Sequence, residues 1–189
     1  MAASSEAHGW VLEAVEQFEQ PLTRYARRLL GDVDLVADTV QHAFLMLCGE
    51  SRARVKAHVA PWLFRVCRNR ALDHLRRAGR ERSLDDDAAT ASAAAIPTDR
   101  RPDPAAAAEA RDLAARLRLL LKDLPAAQRE TIDLWCEGFS YREIAEISGR
   151  TEGHVRVLAH RGLAALRSHP LVRDLLPAPT TVSTTREQP

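Results

Sequence analysis

The stretch PWLFRVCRNRALDHLRR, residues 61–77, decides the fold, because its spacing of apolar residues predicts one amphipathic helix. Pro61 suits the first helical turn, where its missing N–H would have no partner. At about 100° per residue, one face is an apolar stripe. This stripe consists of Leu63, Phe64, Cys67, Ala71 and Leu75. The other face carries Trp62, Arg65, Asn69, Asp73 and Arg76. A helix that only covered a core would not need this mixture of charges, an amide and an indole.

The polar face of this helix has two interpretations. Arginines interleaved with Trp62 and Asn69 suit backbone phosphates and unpaired bases, because an indole stacks on a base with about 1–3 kcal/mol. Alternatively, Trp62 belongs to the core and the arginines are a solvated face. The chemistry of the residues leaves both interpretations open.

The composition indicates a helical protein without metal or membrane chemistry. Of the 189 residues only 9 are aromatic, and β-branched runs are scarce. No apolar run approaches the roughly 20 residues of a membrane span. The N-terminal segment MAASSEAHGW has no apolar signal core, so we expect a cytoplasmic, nucleoid-associated protein. The three cysteines form no CxxC pair, which predicts reduced, packed thiols. Cys136 with His154 or His160 matches no zinc spacing, so we expect no metal site.

The charge is divided unevenly along the chain. Residues 52–82 carry 10 Lys and Arg against 2 Asp and Glu, whereas residues 1–51 carry 3 against 8. A strongly basic block beside an acidic one suggests a face that binds a polyanion and a separate surface for another partner.

The first part of the chain is predicted to form three helices. Residues 1–10 look frayed; a helix follows from about residue 11, restarts at Pro21 and ends at Gly31. Asp34 is the expected N-cap of the second helix. The buried stripe of that helix is Val36, Val40, Phe44 and Leu47. Residues 49–60 are expected to form a basic loop with a short helical piece before the Pro61 helix.

The second part is predicted to be a separate helical domain. Residues 82–107 show no packing pattern and indicate a flexible linker. Apolar spacing returns at about residue 109, and the stripe there is Leu113, Leu117, Leu120 and Leu121. A helix over residues 126–137 should bury Ile132 and Trp135, and Gly138 should end it. We therefore predict an all-α fold with domains at 1–81 and 108–170, and a disordered tail at 171–189.

Residues 139–167 are a helix-turn-helix candidate. Ser140 and Glu143 form a capping box before a short helix, Gly149 ends that helix, and Thr151 caps a longer one. One face of the last helix should pack on its neighbours through Val155, Leu158, Ala159, Gly162 and Leu166. The outward face is Gly153, Arg156, Val157, His160, Ala164 and Arg167. Such a segment either binds DNA in the major groove or is a plain helical packing motif.

Three segments together resemble bacterial extracytoplasmic-function (ECF) sigma factors. DLVADTVQHAFLMLC, residues 34–48, resembles the helix that grips the clamp helices of RNA polymerase. APWLFRVCRNRALDHLRR, residues 60–77, resembles the segment that recognises and melts the −10 element. LPAAQRETIDLWCEGFSYREIAEISGRTEGHVRVLAHRGLAALR, residues 124–167, resembles the domain that reads the −35 element. The segments occur in the family's order, on either side of the linker.

The resemblance implies roles for matching residues. Asp38 and Gln41 would contact core polymerase. The −10 element or the opened strand would meet Trp62, Arg65, Asn69, Asp73, Arg76 and Arg77, and a flipped-out base would be held near Arg52, Arg54 and Lys56. The −35 duplex would lie at Glu152, His154, Arg156, Val157, His160 and Arg161. His42 and the pair Val157 and Leu158 depart from the family's usual carboxylate and Ser-Arg.

The implied function is promoter-specific initiation of transcription together with core RNA polymerase. The implied partners are that enzyme, double- and single-stranded promoter DNA and, as is common in the family, an anti-sigma factor. The sequence contains no nucleotide-binding loop, zinc-protease motif or nucleophile triad, so we expect neither enzymatic activity nor a cofactor. The alternative functions are an autonomous helix-turn-helix regulator, which would bind DNA without polymerase, and an inactive adaptor that binds only another protein.

Overall fold

The computed structural model describes residues 2–82, 120–169 and residue 172, with side chains from residue 9 to residue 79 in the first range. These ranges contain helices α1 (Ala2–Leu30), α2 (Val33–Cys48), α3 (Arg52–Val55), α4 (Val59–Arg82), α5 (Ala126–Cys136), α6 (Tyr141–Ser148) and α7 (Glu152–Ser168). A 3₁₀ turn, Lys56–His58, joins α3 to α4. No β-strand occurs in the ranges described, and the predicted all-α class is confirmed.

Helix α1 is longer and more continuous than predicted. It begins at Ala2, so residues 2–10 are helical, and Pro21 lies inside it without restarting it. A proline within a helix removes one backbone hydrogen bond. Here the neighbouring Leu22, Tyr25 and Ala26 are fully buried, and α1 packs on both α2 and α4, so tertiary packing offsets that loss. The predicted end is confirmed: Gly31 has a φ of 74° and donates to the carbonyl of Arg27 at 3.1 Å.

Helix α2 begins two residues earlier than predicted. Its N-cap is Asp32, whose Oδ1 accepts hydrogen bonds from the backbone N–H groups of Asp34 at 2.9 Å and Leu35 at 3.0 Å. Asp32 has an extended backbone, whereas Asp34 already lies within the first helical turn and so cannot be the cap. Three residues of the predicted stripe are buried, namely Val36, Val40 and Leu47, while Phe44 is half-buried.

Helix α4 buries most of the predicted stripe, but two residues differ. Leu63, Phe64, Cys67 and Ala71 are buried, whereas Leu75 is 44% exposed. Each step of four residues turns the helix about 40° beyond a full circle, which carries Leu75 to the edge of the stripe. Trp62 is only 9% exposed, although the periodicity placed it on the polar face. It belongs to a buried cluster that also includes Phe139 and Ile144, which are distant in sequence.

The described contacts form two compact units, each containing segments from distant parts of the chain. The first combines α1–α4 with residues 133–155, and the second contains residues 120–132 and 156–169. Because the predicted linker lies outside the described residues apart from Arg82, the domain limits proposed from sequence stay a prediction. Leu113, Leu117 and nearly all of the C-terminal tail also lie outside the described residues, so what the sequence predicts for them stays a prediction.

Close packing in the second unit explains a glycine. A Cβ atom on Gly162 would lie 2.6 Å from Cδ1 of Ile132 and 3.4 Å from Cβ of Gln128. The predicted close approach of the backbone at Gly162 is therefore confirmed. Leu158 and Ala159 are buried, as is Ile132.

Trp135 was predicted to be buried as well, but it is 46% exposed, because Leu134 takes the fully buried position at the end of α5.

The turns of the helix-turn-helix follow the predicted pattern. The Ser140 N–H donates to Glu143 Oε2 at 2.8 Å, and the Glu143 N–H donates to Ser140 Oγ at 3.3 Å, which completes the capping box. Gly149 has a φ of 68° at the end of α6. Thr151 Oγ1 accepts from the N–H of His154 at 3.3 Å at the start of α7.

Candidate nucleic-acid interface

An exposed polar stripe runs along α4. Arg65, Asn69, Asp73 and Arg76 follow one another at intervals of four, four and three residues, and all four are exposed. Arg77 beside them is exposed as well. Arg76 donates from Nη1 to Oδ1 of Asp73 at 2.9 Å, and both side chains are more than half exposed. The stripe offers cations, an amide and a carboxylate to a ligand in solvent, which suits phosphates and base edges.

The structure separates Trp62 from this stripe. Because the Trp62 side chain is buried in the cluster described above, it cannot stack on a base in this conformation. Of the six residues predicted for the −10 element, five are exposed together and one is in the core. The face assignment made for Trp62 from sequence is therefore wrong, and the alternative interpretation, in which Trp62 belongs to the core, is confirmed. Its role in DNA binding stays a prediction.

The basic segment before α4 borders a pocket of about 340 Å³. Arg52, Arg54 and Lys56 are exposed, and Arg54 forms an ion pair with Glu50 at 3.5 Å. The pocket is lined by Trp10 and Phe18 of α1 and by Arg52, Lys56, His58 and Glu143, among others. Sequence reasoning did not assign Trp10 and Phe18 to a site. Their spacing of eight residues places both on one face of α1. This spacing is the feature of the sequence from which their proximity could have been predicted.

Asp38 is bound by two side chains of α4. Its Oδ2 accepts from Arg70 through Nε at 3.1 Å and Nη2 at 2.8 Å, and His74 Nε2 lies 3.0 Å from the same oxygen. The hydrogen bonds from Arg70, followed by that from His74, lower the pKa of Asp38 although burial opposes them. The sequence predicted Asp38 as a polymerase contact, but its half-exposed carboxylate also ties α2 to α4.

An apolar groove of about 530 Å³ lies between α1 and α2. Gln41, the second residue predicted to contact polymerase, is exposed and lines it. Leu12, Val33 and Leu45 also line the groove and are more than half exposed. Sequence reasoning missed these three residues because their periodicity alone does not distinguish an apolar surface from a core.

The outward face of α7 carries the residues predicted to read the −35 element. His154, Arg156, Val157, His160 and Arg161 are exposed, and Glu152 is half-exposed at the first turn. Val155 and Leu158 are buried, as the periodicity predicted, so Leu158 is not available to DNA. The face thus holds two arginines and two histidines near an amino end suited to the major groove.

The cysteines differ from the prediction of packed thiols. Cys67 is fully buried, and burial raises the pKa of its thiol to about 12. Cys48 and Cys136 are exposed. Partial burial, followed by the neighbouring carboxylate of Asp133, raises the pKa of Cys136. Among the residues described, no three His, Cys, Asp or Glu side chains are grouped so that they could hold a metal ion.

The exposed polar stripe of α4, the basic segment and the helix-turn-helix define a class of protein that binds nucleic acid. Residues 14–81 match the family description Sigma-70 region 2, and residues 114–166 match Sigma-70 region 4. The chain belongs to the sigma-70 family, as a sigma factor of the ECF class. Sigma factors bind core RNA polymerase and promoter DNA and direct promoter-specific transcription. None of the described helices has both the length and the apolar character needed to cross a membrane.

Curated relatives support this membership. RNA polymerase sigma factor CarQ of Myxococcus xanthus is 32% identical over 167 residues, covering 82% of this chain and 89% of CarQ. ECF RNA polymerase sigma factor SigD of Mycobacterium tuberculosis is 32% identical over 164 residues, covering 82% of this chain and 74% of SigD. ECF RNA polymerase sigma factor SigE of Mycolicibacterium smegmatis is 31% identical over 158 residues, covering 83% of this chain but only 60% of SigE.

A solved structure supports the fold. It is the sigma factor RpoE of Bartonella quintana, in complex with the anti-sigma factor NepR. The TM-score is 0.60 at 24% identity, and the match covers 88% of this chain and 96% of that chain. At this identity the likeness bears on the fold alone.

Proposed function

We propose that the exposed stripe of α4 reads the −10 element and holds the opened strand. The observation that carries this proposal is the alignment of Arg65, Asn69, Asp73 and Arg76 on one solvated face. Arginine contacts phosphates and base edges, and an amide hydrogen-bonds to bases. The Asp73–Arg76 pair is exposed, so DNA can replace it at low cost, since exposed ion pairs contribute about 0–1 kcal/mol.

The basic segment is the proposed site for a flipped-out base. Arg52 and Lys56 bring positive charge to the rim of a pocket that is also lined by the half-buried ring of Phe18. Aromatic faces and cations are the groups that bind an unstacked nucleotide. Holding the base there would offset an unstacking cost of a few kcal/mol.

The outward face of α7 is the proposed −35 reader. Arg156 and Arg161 would contact phosphates or guanine edges, and His154 and His160 would supply further hydrogen bonds. Each DNA surface is small, so each should bind weakly alone. Attached to the same polymerase, the two surfaces gain effective concentration and select two elements at a fixed spacing.

Helix α2 is the proposed contact with core polymerase, through its exposed Gln41 and the neighbouring apolar groove. Asp38 would have two roles there, as a surface carboxylate and as the tie to α4. The bond-making chemistry would belong to the polymerase, and the protein would act at the nucleoid in the cytoplasm. An anti-sigma partner stays a prediction. The similarity to sigma factors does not favour the autonomous regulator.

A gel shift with and without core polymerase tests the function. We expect promoter DNA to be retained appreciably only when core is present, and run-off transcription to start at defined sites. The double variant Arg65→Ala/Asn69→Ala should lower open-complex formation at least about tenfold, whereas Lys122→Ala, which removes an exposed cation outside the proposed sites, should not. Tight promoter binding by the free chain, unaffected by core, would contradict the proposal.

A further inference from the structure

The outward face of α7 has a central row of residues that carries no charged side chain of Lys, Arg, Asp or Glu. At about 100° per residue, four exposed positions fall within about 60° of one another around the helix. These are Gly153, Val157, His160 and Ala164. They lie opposite the buried side of α7, which includes the fully buried Val155. In the proposed docking of α7 in the major groove, this central row is therefore the part of the helix nearest to the base edges.

Basic side chains border the central row on both sides. Arg156 and Arg167 follow one edge of the row, His154 and Arg161 follow the other, and all four are exposed. The major groove is about 12 Å wide and is flanked by the phosphates of both strands. A helix in the groove brings its two edges towards these phosphates. The bordering cations therefore suit contacts with the DNA backbone, and the central row is left to read bases.

Val157 is the large apolar side chain of the central row. It is 44% exposed, whereas the neighbouring Leu158 is buried and is not available to DNA. Gly153, one turn earlier, has no side chain, and a Cβ atom at this residue would meet nothing within 4 Å. The approach to Val157 from the amino end of α7 is therefore open.

The chemistry of valine limits what Val157 can recognise. A single exposed valine is common on protein surfaces and by itself indicates no site. Here its position decides, because it lies in the centre of a face with cations along both edges. Valine neither donates nor accepts a hydrogen bond, so it cannot distinguish bases by their polar groups. Among the four bases, only thymine presents a methyl group in the major groove.

We propose that Val157 selects a thymine in the −35 element, by packing its γ-methyl groups on the C5-methyl group of that base. The contact removes both apolar groups from water, and it favours thymine over bases that have no methyl group there. This inference rests on the proposed −35 role of α7, and it adds the base that one residue of this face reads.

The first test determines which −35 elements the protein prefers. A promoter on which the holoenzyme initiates is randomised over its −35 element, and the holoenzyme then selects from this pool. The selected sequences should share a thymine at one position. Val157→Ser should lose the preference at that position and keep the preferences at the others. Val157→Thr differs from Val157→Ser by one methyl group, so it is the matched control and should keep the thymine.

The second test removes only the methyl group of the DNA. Deoxyuridine replaces the selected thymine, which leaves the base pair and its polar groups unchanged. For the wild-type holoenzyme the Kd should rise about fourfold, the factor that corresponds to the burial of one methyl group. The rise should be about twofold for Val157→Thr, which retains one of the two γ-methyl groups, and absent for Val157→Ser. Deoxyuridine at a thymine outside both promoter elements is the control and should change nothing.

The outcomes separate this inference from the proposed function. Thermal melts should show that both variants are folded, because residue 157 is exposed and these residue types have similar helix propensities. Selected elements without a shared thymine, or equal wild-type affinities for thymine and deoxyuridine, would overturn the role of Val157. In that case, weaker −35 binding by Arg161→Ala would still support α7 as the −35 reader. If neither Arg156→Ala nor Arg161→Ala changes −35 binding, the proposed role of α7 is wrong, and the inference is wrong with it.

Discussion

Replacing Trp62 separates its contribution to packing from its contribution to DNA melting. The sequence left open whether the indole is exposed for stacking or belongs to the core, and the structure buries all but 9% of the residue. Trp62→Ala removes the side chain altogether, and Trp62→Phe keeps an aromatic ring of smaller size. The two variants therefore perturb the core to different extents, and both remove the indole.

The expected loss of stability follows from the buried area. A buried tryptophan removes roughly 150 Å² more apolar surface from water than alanine does, and at about 25 cal/mol per Å² this is about 4 kcal/mol. Measured losses for such truncations are about 3–5 kcal/mol. At about 2–4 °C per kcal/mol for a chain of this size, the Tm of Trp62→Ala should fall by about 8–16 °C. Trp62→Phe should lose about 1–2 kcal/mol, because most of the packing is kept.

The assays are urea denaturation for stability, and permanganate footprinting of promoter DNA with core polymerase for melting. If Trp62 contributes to DNA melting, as the resemblance implies, Trp62→Phe should reduce permanganate reactivity severalfold at a temperature where it is fully folded. Unchanged melting by Trp62→Phe would assign the residue to the core alone. A loss of stability below about 1 kcal/mol in Trp62→Ala would contradict the burial itself.

Three further predictions follow from individual contacts. Asp38→Asn should lower stability by about 1 kcal/mol at pH 7. This is the contribution of a charge-assisted hydrogen bond, reduced because the carboxylate is half exposed to solvent. Arg70 lowers the folded-state pKa of Asp38 below the usual 3.8. The difference in stability between the wild-type protein and Asp38→Asn should therefore be full above about pH 5 and vanish as the pH falls through that lowered pKa. Urea denaturation from pH 7 to pH 3 measures this difference. Gly162→Ala gains about 1 kcal/mol of helix propensity, but its added Cβ clashes with Ile132. The effect of Gly162→Ala on the free energy of unfolding should therefore be at least about 1 kcal/mol more favourable in an Ile132→Val background. An additive double-mutant cycle would refute the contact. Arg156→Ala should weaken the −35 footprint about tenfold without changing its −10 part, and an unchanged −35 footprint would remove the residue from that site.

Local patterns in the sequence predicted most helices and turns of the described residues. The capping box at Ser140, the left-handed glycines Gly31 and Gly149, and the buried stripe of α4 depend on neighbours within a few positions. One error arose where distant segments intervene, because packing offsets the hydrogen bond lost at Pro21 and keeps this residue inside α1. The other error is local, because Asp32 replaces Asp34 as the cap by a shift of two residues.

The candidate site also contains both residues that local patterns predict and contacts that only the packing of helices creates. The exposure of Arg65, Asn69 and Arg76 follows from periodicity, because these residues share one face of a single helix. The bonds from Arg70 and His74 to Asp38, and the apolar groove beside Gln41, require two helices to meet in a particular register, which periodicity does not specify.

The sequence by itself determined the helical class, the order of the sigma-factor segments and the polar stripe of α4, because each depends on short-range spacing or on motifs. Only the tertiary structure decided that Trp62 is buried and that Arg24 and Arg28 bind Glu137. Those contacts join residues far apart in the chain, and their free energy comes from burial and charge pairing that exist only after the helices have packed.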